Sequence, residues 1–382
     1  MLQFETRRVV SLRSNMRAFP LMALVCALAL TASPAQRKKK EEETQVLQLP
    51  KELPTAISGE TRHLAFVVTP LSPKGLLSQQ VRDGLKALAH LAGSDRVLKI
   101  RAFVAGSGDL RRVRDLVSEA FTDRKQPLPV LSLIQSGGLP LEGAQVVMEA
   151  ILASHKELNP HGLAFLSAQE ASSPSPLDPV APLTAKALAS LGQAVKAAGS
   201  ESADVLRVTC FLSSLDNVAA SRKLVAGQYP AAAIDMVQTQ RAPFAAVAAC
   251  EAVARLRSDP GAAMRLVNPE GLTAEPGKSQ IALVAAPQVV LSGTQSSFGY
   301  QLADARLAFE RLGKVLEQEG SSAHEVAFAH YYPLSGGIAT QVRTVRDEFF
   351  DPAHPPAGTL LIFEGLPSMD AGFAVDVVAV KK

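Results

Sequence analysis

Residues 346–382 read RDEFFDPAHPPAGTLLIFEGLPSMDAGFAVDVVAVKK. A charged helix end runs into a Pro-rich turn, which no helix can cross. An apolar strand follows, then a turn at Gly365-Leu366-Pro367, then a second strand from Ala374 to Val380 that is apolar at nearly every position. The same order occurs twice earlier in weaker form. It runs from Ser118 as SEAFTDRKQPLPVLSLIQSGGLPLEGAQVVMEAILA, and from Val225 as VAGQYPAAAIDMVQTQRAPFAAVAACEAVA.

Working back from each of these segments gives the same run of elements. Before the first come a strand at His63–Thr69 and a helix at Leu76–Ala92, its stripe made of Leu77, Val81, Leu85, Leu88 and Leu91. A strand at Val97–Ala105 and a helix at Leu110–Phe121 with Asp109 as N-cap complete the approach. Strands at Val130–Gln135 and Ala144–Ala153 close the unit. The second run is Gly162–Ser167, Pro182–Ala198, Val205–Ser213, Asp216–Val225, Ala232–Thr239 and Phe244–Ala254. In the third, Ile281–Ala285 and Gln288–Ser292 read as a hairpin about Ala286-Pro287. A helix at Ala303–Gln318, a strand at Glu325–Tyr332 and a helix at Gly337–Phe350 follow, with Tyr331 in the place of Phe103 and Phe211. The unit is therefore β(β)αβαββ, about 100 residues long, with two helices on one sheet face. Both sheet faces are apolar, so the face away from the helices needs a partner. Three such sheets can supply it to one another.

Composition bounds the rest. The chain has 382 residues, 47% hydrophobic and 5% aromatic, with no Trp, enough for two or three packed domains. Its formal charge of +3 comes from Arg7, Arg8, Arg13 and Arg17 against Glu5; past residue 35 basic and acidic residues are equal in number. A neutral body without a basic or aromatic strip gives nucleic acid no footprint. Arg17, the apolar run Ala18–Leu30 and the small residues Ser33-Pro34-Ala35 read as a cleaved export signal, starting from Met1 or Met16. An uncleaved membrane anchor is the other reading. Cleavage leaves Cys210 and Cys250, each inside an apolar strand pattern and expected as a small buried hydrophobe rather than half of a disulfide. The His residues show no ligand spacing, so no metal is expected. Residues 36–60, with RKKKEEE and two Leu-Pro steps, read as a charged linker that carries a possible strand at Val46–Leu49. Gly106-Ser107-Gly108 reads as a tight turn, and no nucleophile elbow or phosphate loop is present.

In its element order the chain resembles the RidA family, also called YjgF or endoribonuclease L-PSP. Ser279-Gln280, Ser292-Gly293 and FFDPAHPPAG at residues 349–358 carry the resemblance. It implies an α+β, chorismate-mutase-like fold: three tandem RidA-like domains at residues 61–156, 157–260 and 261–382, forming an intramolecular pseudo-trimer with its sheets inward and a ligand cleft at each interface. In the family's deaminating branch an Arg just after Pro-Ala binds the carboxylate of a 2-imino acid, a bidentate task that suits guanidinium. A Glu on the last strand positions the hydrolytic water. Here the Arg position falls on Leu131, Ala232 and Gly358, and the Glu position on Val147, Ala249 and Ala374. The second acid of that strand persists as Glu149, Glu251 and Asp376.

The signal-like N-terminus and the resemblance together imply an exported monomer that binds a small molecule in its interdomain clefts. No catalytic residue, cofactor, nucleic acid or lasting membrane association is expected. The cleft candidates are Ser292, Gly293, Gly358, Glu149, Glu251 and Asp376. The three acids have a second reading, as charges paired across the interface between sheets. The rival functional reading is an imine deaminase with relocated groups, Arg124 or Arg241 reaching a cleft from elsewhere.

Overall fold

A computed structural model of the chain describes residues 49–106 and 108–382. The expected signal segment, residues 36–48 of the linker and Ser107 lie outside the described residues. Chain order begins with β1 (Ala56–Glu60), β2 (Leu64–Val68), α1 (Leu77–Ala92), β3 (Arg96–Ala105), α2 (Leu110–Asp123), β4 (Val130–Ser136) and β5 (Val146–Ala153). It continues with β6 (Leu163–Ser173), α3 (Val180–Ala197), β7 (Val205–Leu212), α4 (Val218–Gln228), β8 (Ala233–Gln238) and β9 (Ala246–Arg255). The last part holds β10 (Met264–Val267), β11 (Ile281–Val284), β12 (Gln288–Ser292), β13 (Gln295–Ser296), α5 (Leu302–Gln318), β14 (Val326–Pro333), α6 (Gly336–Phe349), β15 (Ala357–Leu360) and β16 (Phe373–Val380).

These strands form three mixed sheets, ordered β2-β5-β3-β4, β10-β11-β6-β9-β7-β8 and β1-β12-β16-β14-β15, with β13 on β16. In each sheet the strand between the two helices runs parallel to the next one and antiparallel to the last: β3 with β4 and β5, β7 with β8 and β9, β14 with β15 and β16. Each helix pair buries its apolar stripe on its own sheet. In the first, Val81, Leu85, Leu88, Val113 and Val117 pack over Ile100, Ala102 and Met148. Asp109 caps α2 by accepting from the Arg111 N–H, as its sequence position predicts.

Three expectations are corrected here. Ile281–Ala285 and Gln288–Ser292 are not a hairpin: β11 pairs with β6, whereas β12 pairs with β16 in another sheet. A Pro-containing turn between two apolar strands fits either outcome, and the buried edge of β6 recruits the first strand. Similarly β1, inside the expected linker, pairs with β12. Cys210 and Cys250, directly opposite each other on β7 and β9, are joined as a disulfide rather than left as separate hydrophobes.

The sheet faces away from the helices meet in the middle of the molecule. One shared apolar layer contains Phe66, Phe165, Leu291 and Phe328, from all three sheets. A second contains Phe103, Phe211, Tyr332 and Phe363. The register makes Tyr332, not Tyr331, the counterpart of Phe103 and Phe211, since Tyr332 lies opposite Ala374 as Phe103 lies opposite Val147 and Phe211 opposite Ala249. Tyr331 turns to the helix side and packs on Phe309. Alternation along a strand makes this one-residue difference a change of face.

Candidate functional site

Between the two apolar layers lies a buried charged layer. The residue pairs Arg101–Glu149, Thr209–Glu251 and His330–Asp376 occupy one rung of their sheets. Glu149, Glu251 and Asp376 are each at most 1% exposed. Arg101 links the first two: its Nε donates to Glu149 Oε2 at 2.7 Å and its Nη2 to Glu251 Oε1 at 2.7 Å. Lys99 Nζ donates to Asp376 at 2.6 Å, and Tyr332 donates to the other oxygen of that carboxylate at 2.9 Å. His330 stands between Asp376 and Glu251, with a ring nitrogen 3.1 and 3.0 Å from each, an arrangement satisfied at both ends when both nitrogens carry protons. Thr359 and Thr209 donate to Glu251 and Glu149. Arg207 lies 3.4 Å from Glu149.

The electrostatics follow from this packing. Burial alone raises a carboxyl pKa, yet the surrounding Arg101, Arg207, Lys99 and His330 bring Glu149, Glu251 and Asp376 below the usual range. Burial pushes the Lys99 ammonium down. Asp235 is shifted the other way: burial and the neighbouring Glu149 hold its carboxyl well above the usual value, against the pull of Arg101. The void in this layer is about 20 Å³, room for about one water. The three acids expected at the clefts are therefore interior ion partners joining the sheets. Their strands turn them inward, away from the solvent-facing edges.

Three clefts run between neighbouring sheet edges. The first lies between β4 and β12, holds about 370 Å³, and brings together Leu131, Leu133, Gly293, Gln295, Arg111 and Arg114. Among the described residues no Asp, Glu or His lines it. Gly293 is required there, because a Cβ would sit 2.8 Å from the Leu131 carbonyl oxygen. Ser292, expected beside it, is buried and accepts from the Val377 N–H. The second cleft, between β8 and β2, holds about 410 Å³ and contains Ala232 and Arg255.

The third cleft, between β15 and β6, is nearly filled, with about 50 Å³ left. Gly358 lies here with its N–H on Ser167 Oγ at 2.7 Å. A Cβ at 358 would be 2.5 Å from the Ala329 carbonyl oxygen, which explains why no Arg stands there. Lys278, Arg343 and Arg346 line this cleft instead, with Glu170 and Glu275. Lys278 pairs with Glu275 at 2.6 Å. Burial and the nearby Glu275 push the Glu170 carboxyl up. A void of about 280 Å³ adjoins it and shares Glu170, Arg343 and Leu360.

The register also moves one position. Gly358 and Leu131 lie opposite Ala329 and Ile100; the counterpart opposite Val208 is Ile234, two residues past Ala232. The cations of the clefts come from α2, α6, β9 and the β10–β11 connection, not from the strand position the resemblance uses. Arg124 donates to the Leu85 carbonyl, and the Arg241 N–H donates to Glu364. Sequence reasoning passed over Lys99, Arg101 and Arg207. The signal was present: Lys-x-Arg-x-Phe at 99–103 and Arg-x-Thr-x-Phe at 207–211 place charges on the same buried face as an aromatic.

No family model matches the chain, and no curated protein matches it. Among solved structures it is similar to a YjgF-family protein from Neisseria meningitidis, at 16% identity over 31% of this chain and 95% of that one, with a TM-score of 0.24. A Rid-family protein of unknown function from Yersinia pestis matches at 17% identity over 31% of this chain and 99% of its own, TM-score 0.28. A member of the YjgF/YER057c/UK114 family from Mycobacterium tuberculosis matches at 19%, over 31% and 98%, TM-score 0.23.

Proposed function

We propose that the chain is an exported, three-copy RidA-like protein, its copies arranged as an internal pseudo-trimer, that binds a small carboxylate-bearing molecule in the cleft between β4 and β12. The observation that carries this reading is the cleft's lining. Arg114 meets no carboxylate among the described residues and stands with Arg111 at a cavity of about 370 Å³, within the usual size for a small ligand. A guanidinium recognises a carboxylate through two parallel N–H donors. Leu131, Leu133 and Phe298 offer an apolar wall for the remainder of the ligand. Among the described residues the lining offers no acid or His to take a proton from water, which favours holding a ligand over hydrolysing it. The Cys210–Cys250 disulfide supports an oxidising compartment, in keeping with the signal-like N-terminus.

The test is calorimetric titration with pyruvate, the hydrolysis product of 2-iminopropanoate. Saturable binding is expected, at least tenfold weaker in Arg114→Ala and unchanged in Arg343→Ala. Absence of binding, or equal binding by Arg114→Ala, refutes the reading.

One observation favours a second reading. Glu170, with its raised pKa, and Arg343 share the cleft of Gly358, which gives an acid and an anion holder at one place. Imine hydrolysis would be located there. Turnover of 2-iminopropanoate above background, abolished in Glu170→Gln, would establish that activity in place of simple binding.

A further inference from the structure

In two of the three sheets an added strand covers the outer edge. β11 lies antiparallel on β6, from Ile281 opposite Leu166 to Val284 opposite Leu163. The segment just before it also reaches the neighbouring sheet, where Ser279 bridges Ala357 in parallel. β1 lies on β12 in the same manner, from Ala56 opposite Ser292 to Glu60 opposite Gln288. β2 holds the corresponding place in the remaining sheet: Phe66 faces Ile151 on β5 as Phe165 faces Val253 and Leu291 faces Val378. Among the described residues no strand covers β2.

The backbone of β2 shows which groups this leaves. Ser154 N–H donates to the His63 carbonyl and Thr69 N–H to the Met148 carbonyl, so odd-numbered residues face β5 and even-numbered ones face outward. The loop before β6 covers the start of this edge. Leu158 and Asn159 N–H groups donate to the Arg62 carbonyl, and Asn159 Nδ2 donates to the Leu64 carbonyl at 2.8 Å. The outward N–H and C=O groups of Phe66 and Val68 have no backbone partner among the described residues. They border the groove of about 410 Å³, whose far wall is Ala231–Ala233. Ala233 lies opposite Arg207 as Ala357 lies opposite Phe328, so it is the counterpart of the residue that Ser279 bridges. At the groove, buried Arg255 Nε has no hydrogen-bond partner.

We propose that this groove takes up an extended segment of another protein as an added antiparallel strand on β2, apolar at alternate positions and carrying a carboxylate that pairs with Arg255. Unpaired strand edges are templates for such addition. A buried guanidinium nitrogen without an acceptor is costly, and the incoming carboxylate relieves it.

The probe is a labelled peptide with the sequence of residues 279–286, SQIALVAA, with a free C-terminal carboxylate, followed by fluorescence anisotropy on the full chain. Saturable one-to-one binding is expected. Val68→Pro removes an outward N–H and leaves pairing with β5 intact, and should weaken binding at least tenfold. Arg255→Gln should weaken it at least threefold. With unaltered protein, N-methylation of the peptide at either positions 281 and 283 or positions 282 and 284 should abolish binding. In the free full chain the Phe66 and Val68 amides should exchange with solvent faster than that of Val67. Lack of saturable binding, equal binding to Val68→Pro, or indifference to both N-methylated peptides overturns the proposal. So does protection of the Phe66 and Val68 amides in the free chain, which would mean that the chain or a second copy already fills the slot.

Discussion

At the scale of single residues, Arg101 and Asp235 make opposite predictions. Arg101 holds both Glu149 and Glu251, and its loss leaves two buried carboxylates without their main partner. Arg101→Ala should cost about 3–5 kcal/mol in urea unfolding. The Asp235 carboxyl has its folded pKa raised above the unfolded value by burial and by Glu149. For an acid shifted in that direction, stability is full below the unfolded pKa of about 4 and falls as pH rises toward the folded value. Asp235→Asn removes the titration and should therefore stabilise the protein at pH 7 and not at pH 4. The gain between these limits should grow by up to about 1.4 kcal/mol per pH unit in thermal unfolding. The depressed acids Glu149, Glu251 and Asp376 act in the other sense, losing their contribution as pH falls below about 4. Part of this layer was legible from sequence: the acids stood out as charges in apolar strands, with pairing between sheets as one of their two readings. Their cationic partners did not stand out, because Lys99 and Arg101 fit the alternation of a half-exposed strand as well as that of a buried one.

At the scale of elements, the helices and most strands follow directly from their periodicity; the strand exchange between sheets does not. Ala286-Pro287 turns the chain in either arrangement, and only the uncovered edge of β6 decides that β11 leaves β12 for another sheet. Likewise Ala56–Glu60 contains Ser, Gly and Glu and is weak as a strand by itself, yet pairs along its whole length once β12 is beside it. Tyr331 and Tyr332 show the same limit, since adjacent aromatics fit both faces until the register with β16 is fixed. The contact between β12 and β4 sets the first cleft, and Gly293 permits it. Gly293→Ala places a Cβ against the Leu131 carbonyl, so these strands must separate. A loss of about 1–3 kcal/mol in thermal unfolding is expected, together with weaker pyruvate binding.

At the scale of the whole molecule, three sheets turn their helix-free faces onto one another and enclose two apolar layers and one charged layer. The inward faces are satisfied within one chain, so light scattering of the full 382-residue chain should give a monomer near 40.3 kDa. A stable trimer of the whole chain would mean that those faces find partners in other chains. Enclosing the faces leaves the edges between sheets as the exposed places where the three sheets differ: one open and cationic, one lacking its strand, one nearly filled. The proposed ligand binding belongs to the first of these. The most direct test is a crystal structure of the chain soaked with pyruvate. The account predicts a carboxylate beside Arg111 and Arg114, between Leu131 and Gly293. Pyruvate found beside Arg343 and Glu170 instead, with the first cleft empty, would contradict it.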